Sequence, residues 1–234
     1  MKCISKRKKA AALLGVFVIG LTGCTSKEVV LENAYDVCDT SAKYGITENG
    51  ASQSAEFFAR DLVVTEDENL GLEKTTERVA EAAGVFLTSK KEAVYKKNIF
   101  EKLYPASTTK ILTAYVALKN GNLDDVVTVS ANAANQASDS SVCELKEGDK
   151  ITLRDLLYGL MLRSGNDAAV AIAEHISGSS EEFVVLMNAE AKALGATGSH
   201  FVTPNGLHDE EHYSTVYDMY LFMLSLIHIS EPTR

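Results

Sequence analysis

A chain of 234 residues, 46% hydrophobic and 24% charged, has globular composition and room for one large domain or two small ones. Its 23 Lys and Arg face 32 Asp and Glu, a formal charge of -9. Nucleic-acid binding needs a basic surface to displace counterions, and no basic run lies outside the N-terminus, so nucleic acid is excluded as the partner.

Lys2, Lys6, Arg7, Lys8 and Lys9 precede an apolar run from Ala10 to Leu21. About a dozen apolar residues are too few to span a bilayer, which takes roughly 20. A basic region, a short apolar region and small residues after it predict a secretory signal over residues 1–23. Leu21, Thr22, Gly23 and Cys24 resemble the bacterial lipoprotein box. That resemblance implies cleavage before Cys24, a diacylglycerol on its thiol and an extracytoplasmic body held to the membrane through lipid. Cys3 then leaves with the signal, and the remaining pair, Cys38 and Cys143, is no disulfide scaffold; whether the two bond to each other stays open. His175, His200, His208 and His212 are scattered singly and read as surface or capping residues. No Cys/His spacing suggests a metal site, and no cofactor is implied.

Residues 24–80 are polar and weakly periodic, broken by Asn49-Gly50 and the acidic stretch Glu66 to Glu68, and read as a tether with one or two short helices. Ala83 to Thr88 and Ala93 to Tyr95, separated by a polar turn, predict a hairpin. An almost continuously apolar helix from Ser107 to Leu118 follows, expected to be buried and to end at Asn120-Gly121. A second helix is announced by Thr152 three before Asp155, with Leu153, Leu156, Leu157, Leu160 and Met161 at helical spacing. A third begins near Asn166 and runs to Ile176. A fourth has Ser179 and Glu182 as its capping box, and Thr215 with Asp218 starts a fifth.

Leu224 to Arg234 resembles the in-frame translation of an adapter used to build sequencing libraries, and is set apart from the natural sequence, which is then expected to be a fragment of a longer protein.

Ser107 and Lys110 form a Ser-x-x-Lys motif, and a spacing of three brings hydroxyl and amine together on one helical face. The spacing also occurs at Ser5 and Lys8, so context separates them: Ser107 stands at a helix N-terminus, whose amides and field favour developing negative charge. Ser164-Gly165-Asn166 lies between two strong helices and reads as a cleft lining; its rival Ser130-Ala131-Asn132 follows the short run Val126 to Val129.

Tyr104 to Lys110 and Leu162 to Ala168 resemble the D-alanyl-D-alanine carboxypeptidases among the low-molecular-mass penicillin-binding proteins, with similarity from about Ala83 to Met223. The resemblance implies the α/β fold shared by penicillin-binding proteins and β-lactamases, an antiparallel sheet with a helical subdomain, over residues 81–223. It implies Ser107 as nucleophile on peptidoglycan stem peptides, Lys110 as its base, Ser164 as proton relay and Asn166 as substrate-amide holder, with β-lactams as covalent inhibitors. The family's third motif, Lys-Thr-Gly, is absent: Lys74-Thr75 is followed by Thr76 and lies upstream of the nucleophile. The motif is expected beyond Met223, which would leave the sheet incomplete and this fragment inactive. No Glu-x-x-Leu-Asn follows Ser164, so a β-lactamase is disfavoured. A cross-link endopeptidase and a catalytically silent wall-binding lipoprotein stay open.

Overall fold

The computed structural model describes residues 61–72, 80–137 and 139–230. The signal, Cys24, Cys38, Ser5 with Lys8, and residues 231–234 lie outside the described residues.

The expected hairpin is present as β1 (Ala83–Leu87) and β2 (Glu92–Lys97), antiparallel, with Ala83 opposite Lys97 and a register shift between Val85 and Phe86. β2 runs two residues further than its apolar pattern because Lys96 is drawn inward. Its ammonium donates to Thr65 Oγ1 (2.8 Å) and the Glu66 carbonyl (2.7 Å) while its stem is buried. Residues 61–70, assigned to the tether, are instead packed on the domain. Val63 is fully buried, its N–H donates to the Tyr220 hydroxyl, and its carbonyl accepts from Tyr217. An apolar residue can act as an anchor wherever its backbone groups find partners, which periodicity does not report.

The central helix α1 (Lys110–Asn120) starts three residues later than expected, because Ala106–Thr109 winds as a single 3-10 turn ahead of it. Leu112, Thr113, Ala114, Tyr115, Val116 and Ala117 are all buried, as a helix apolar on every side requires. Gly121 ends α1 in an extended conformation, not a left-handed one. A side chain there would meet Leu153 at 2.5 Å and Ile176 at 2.7 Å, so the glycine serves close packing.

Val126–Thr128 (β3) pairs antiparallel with Lys150–Thr152 (β4), a contact absent from the sequence reading because three-residue strands carry too short a pattern. A one-turn helix α2 (Ala131–Ala134) follows β3, and Ser130 caps it through Oγ to the Ala133 N–H. The rival Ser-x-Asn motif is thus a helix cap. Then come α3 (Leu153–Leu162), α4 (Asn166–Ser177), α5 (Ser180–Ala193) and α6 (Val216–Ser230). The caps read from sequence hold: Thr152, Ser179 and Thr215 each accept from the amide three residues on. α6 continues through position 223, with Leu224 and Ser225 buried.

α1 is packed by α3, α4, α5 and α6, and the hairpin lies against α6, where Phe86 stacks on Tyr220 at 4.3 Å. Phe183, Phe201 and Phe222 fill the core. Phe183→Ala should lower unfolding stability by about 3–5 kcal/mol, the transfer and cavity cost of a buried phenylalanine, measured by urea titration.

Candidate active site

Ser107 sits exposed on the 3-10 turn, and Lys110, at the first position of α1, is only 2% exposed. The Lys110 Nζ is placed among three oxygens: Ser107 Oγ at 3.2 Å, Asn166 Oδ1 at 2.8 Å and the Asn205 carbonyl at 2.8 Å. The two short contacts are to oxygens that can only accept. When the amine is neutral its two N–H bonds are directed to Asn166 and Asn205, and its lone pair is left facing the Ser107 hydroxyl. Burial lowers the Lys110 pKa from 10.5 to about 8, because the cation loses hydration that three contacts replace incompletely. About a tenth of the amine is then neutral at pH 7.

Asn166 opens α4 and is buried; its N–H donates to the Ser141 carbonyl (2.8 Å) while its side-chain oxygen faces Lys110. Beside it, the buried Asp167 carboxylate accepts from the Cys143 N–H (2.9 Å to each oxygen), the Leu145 N–H (3.1 Å) and the Ala168 N–H (2.8 Å). This pair ties segment 141–145 to the start of α4. Cys143 is a free cysteine set against two glycines: a side chain at Gly159 or Gly165 would come within 2.7 or 2.5 Å of its sulfur. Burial, then the Asp167 charge, raises the thiol pKa and disfavours the thiolate.

Ser164 stands in a left-handed conformation (φ 56°) between α3 and α4, and its hydroxyl oxygen is buried without a hydrogen-bond partner. A buried polar atom without a partner costs about 1–3 kcal/mol.

The turn that carries Ser107 is also held under backbone constraint. Ala106 adopts φ 47°, a conformation that costs an L-residue about 1–2 kcal/mol. Gly206 (φ 83°) is pressed on it; a Cβ there would lie 2.0 Å from the Ala106 carbonyl oxygen and 2.9 Å from Thr109 Oγ1. Thr109 is bonded to His212, which is 2% exposed and so belongs to the core, not to the surface as its isolation in sequence suggested. Beside the turn is a small cleft of about 100 Å³ whose rim includes Tyr104, Leu207 and His208, the two rings edge to face at 4.6 Å.

Of the residues the sequence singled out, the structure brings Ser107, Lys110 and Asn166 together and places Ser164 at the turn between α3 and α4. The sequence reading missed Asn205, Gly206, Thr109 and His212. A backbone carbonyl used as a ligand, such as that of Asn205, leaves no residue-type signature at all. Among the described residues no group of His, Cys, Asp or Glu converges as a metal site would require, and no helix is long and apolar enough to cross a membrane.

The site thus sets an exposed serine hydroxyl against a buried lysine amine of lowered pKa in a Ser-x-x-Lys arrangement. The D-alanyl-D-alanine carboxypeptidase family model matches residues 67–234, and the chain belongs to that family. It is 40% identical over 168 residues to the D-alanyl-D-alanine carboxypeptidase DacF of Bacillus subtilis, covering 69% of this chain and 43% of that protein. Among solved structures it resembles penicillin binding protein 6B from Escherichia coli (37% identity, TM-score 0.57, 58% of this chain and 46% of that one). It also resembles the D-alanyl-D-alanine carboxypeptidase DacD from Francisella tularensis (35% identity, TM-score 0.62, 76% and 42%). The fold is therefore that of the penicillin-binding proteins, and the chain spans less than half the length of each of these relatives.

Gly206→Ala should displace the Ala106 carbonyl and with it Ser107. The expected outcome is a loss of Ser107 reactivity toward a fluorescent penicillin of about tenfold or more in the full-length protein, since misplacement by about 1 Å costs on the order of a hundredfold.

Proposed function

We propose that the full-length protein is a serine-type D-alanyl-D-alanine carboxypeptidase acting on peptidoglycan stem peptides. The observation that carries the reading is the 3.2 Å approach of Lys110 Nζ to Ser107 Oγ, with both other amine positions taken by oxygens that only accept.

In this reaction the neutral Lys110 amine takes the Ser107 proton as Oγ attacks the carbonyl carbon between the two terminal D-alanines. The Ser107 N–H, on a turn that feeds the N-terminus of α1, stabilises the developing oxyanion. The proton then moves from the Lys110 ammonium through the Ser164 hydroxyl, which has no competing partner among the described residues, to the leaving nitrogen; the C–N bond breaks, D-alanine departs and Lys110 is neutral again. Water, deprotonated by the same lysine, then cleaves the ester and regenerates Ser107. Asn166 orients Lys110 through its oxygen, and its amide nitrogen holds the substrate carbonyl. A β-lactam presents a strained amide to the same nucleophile and forms an ester that leaves slowly, so the drug is an inhibitor. The lipoprotein box supports a lipid on Cys24 that keeps the enzyme extracytoplasmic and at the membrane.

Full-length protein should be labelled by a fluorescent penicillin and should release D-alanine from a synthetic stem peptide ending in D-Ala-D-Ala. Ser107→Ala should abolish both, and Lys110→Ala should lower both by at least about a hundredfold. A full-length protein that carries Lys-Thr-Gly yet stays unlabelled would replace this reading with that of a silent wall-binding lipoprotein. Because the amine must be neutral, the acylation rate should climb tenfold per pH unit up to about 8 and level off above it.

A further inference from the structure

His212 takes no part in the steps above, yet both halves of the site meet on its ring. Nε2 lies 2.8 Å from Thr109 Oγ1, while Nδ1 lies 3.1 Å from the Val202 nitrogen and 3.4 Å from the Thr203 nitrogen. Backbone N–H groups can only donate, so Nδ1 is the unprotonated acceptor and Nε2 carries the proton donated to Thr109. Thr109 separates Ser107 and Thr108 from Lys110 on the nucleophile turn. Val202 and Thr203 begin the loop that brings the Asn205 carbonyl to Lys110 and seats Gly206 on Ala106. The loop is tightened from within, since Thr203 Oγ1 accepts from the Gly206 N–H and the Pro204 carbonyl accepts from Thr113.

We infer that His212 is a positioning residue for the reacting pair: its neutral imidazole locks the nucleophile turn to the Asn205 loop, and protonation of the ring releases that lock. The inference rests on Ser107 and Lys110 being the reacting groups. A second proton would sit on Nδ1, facing two N–H donors, and would turn both hydrogen bonds into repulsive contacts. Burial works in the same direction, holding the His212 pKa below 6.5; His200, paired with Tyr213 across a backbone bridge, adds to the shift, and Asp209 opposes it. On the nucleophile side the charged neighbour is Lys110, next to Thr109 in the chain. The folded ring binds its proton less tightly than the unfolded one. Its contribution to stability is therefore complete above 6.5 and is lost as pH falls below that value through the folded pKa.

The test compares wild type, His212→Gln and His212→Ala in the full-length protein. Two measurements are made: the rate of acylation by a fluorescent penicillin from about pH 5 to 9, and nitrogen–proton NMR spectra over the same range. With Lys110 alone titrating, the logarithm of the rate has unit slope on the acid side. Titration of His212 adds a second proton, so the wild-type slope should steepen to two below the ring's pKa. Glutamine can accept from the loop amides and donate to Thr109, and it does not titrate. His212→Gln should recover most of the roughly tenfold or greater loss in His212→Ala, the scale of a broken buried hydrogen bond, and should keep unit slope throughout. Persistent steepening in His212→Gln, or a wild-type rate in His212→Ala, overturns the inference, and if the alanine variant does not fold the glutamine profile decides alone. A wild type that is never acylated refutes the enzyme reading instead. The ring is then judged by the spectra: the Thr109 and Gly206 amides should shift with the His212 midpoint, and shifts independent of it overturn the inference.

Discussion

A lysine amine taken out of water must either find a full set of acceptors or give up its proton, and the site is arranged around that choice at Lys110. The first residue of a buried central helix cannot direct its side chain to solvent, so its amine is caged by oxygens from three separate parts of the chain. The cost of stripping the cation of water on burial is what brings the pKa down to about 8. The packing that fixes the amine in space is thus also what lets part of it shed its proton near neutral pH.

Glycines and one cysteine set how closely the caging elements approach. Gly121 lets α3 and α4 close on the end of α1, Gly206 lets the Asn205 loop rest on the Ala106 carbonyl, and Gly159 with Gly165 accommodate the Cys143 sulfur. The Asp167 carboxylate gathers backbone amides of segment 141–145, so the start of α4, and Asn166 with it, is held from outside the helix as well as within it. Strain at Ala106 and Ser164 and the unpartnered Ser164 hydroxyl persist because these surroundings over-determine both turns.

What the sequence disclosed is what is local. Helices α3 and α5 could be read from caps and periodicity because a cap spans three residues and a helical stripe only a few turns. Ser107 and Lys110 were legible for the same reason, being one turn apart. The 3-10 turn before α1 was not, since Ala106 takes a left-handed conformation imposed by Gly206, a neighbour about a hundred residues away. His212, solitary in sequence, lies in the core because its partners are backbone amides and a threonine on another element. The β3–β4 pair, three residues on each side, has too little pattern to announce itself, and residues 61–70 look like a tether because their anchoring runs through main-chain groups to tyrosines on α6.

The long-range character of the cage bears on how the molecule assembles. The Lys110–Asn205 and Thr109–His212 bonds close loops of 95 and 103 residues, and the Val63–Tyr220 bond closes one of 157. Loops of that length carry an entropic charge that only an already collapsed core can offset, whereas α3, α4 and α5 contact one another in chain order. During synthesis the nucleophile turn therefore leaves the ribosome long before its loop and its histidine, and Lys110 remains an ordinary hydrated ammonium until they arrive. The caged amine that faces Ser107 comes into being only with the closing of the domain.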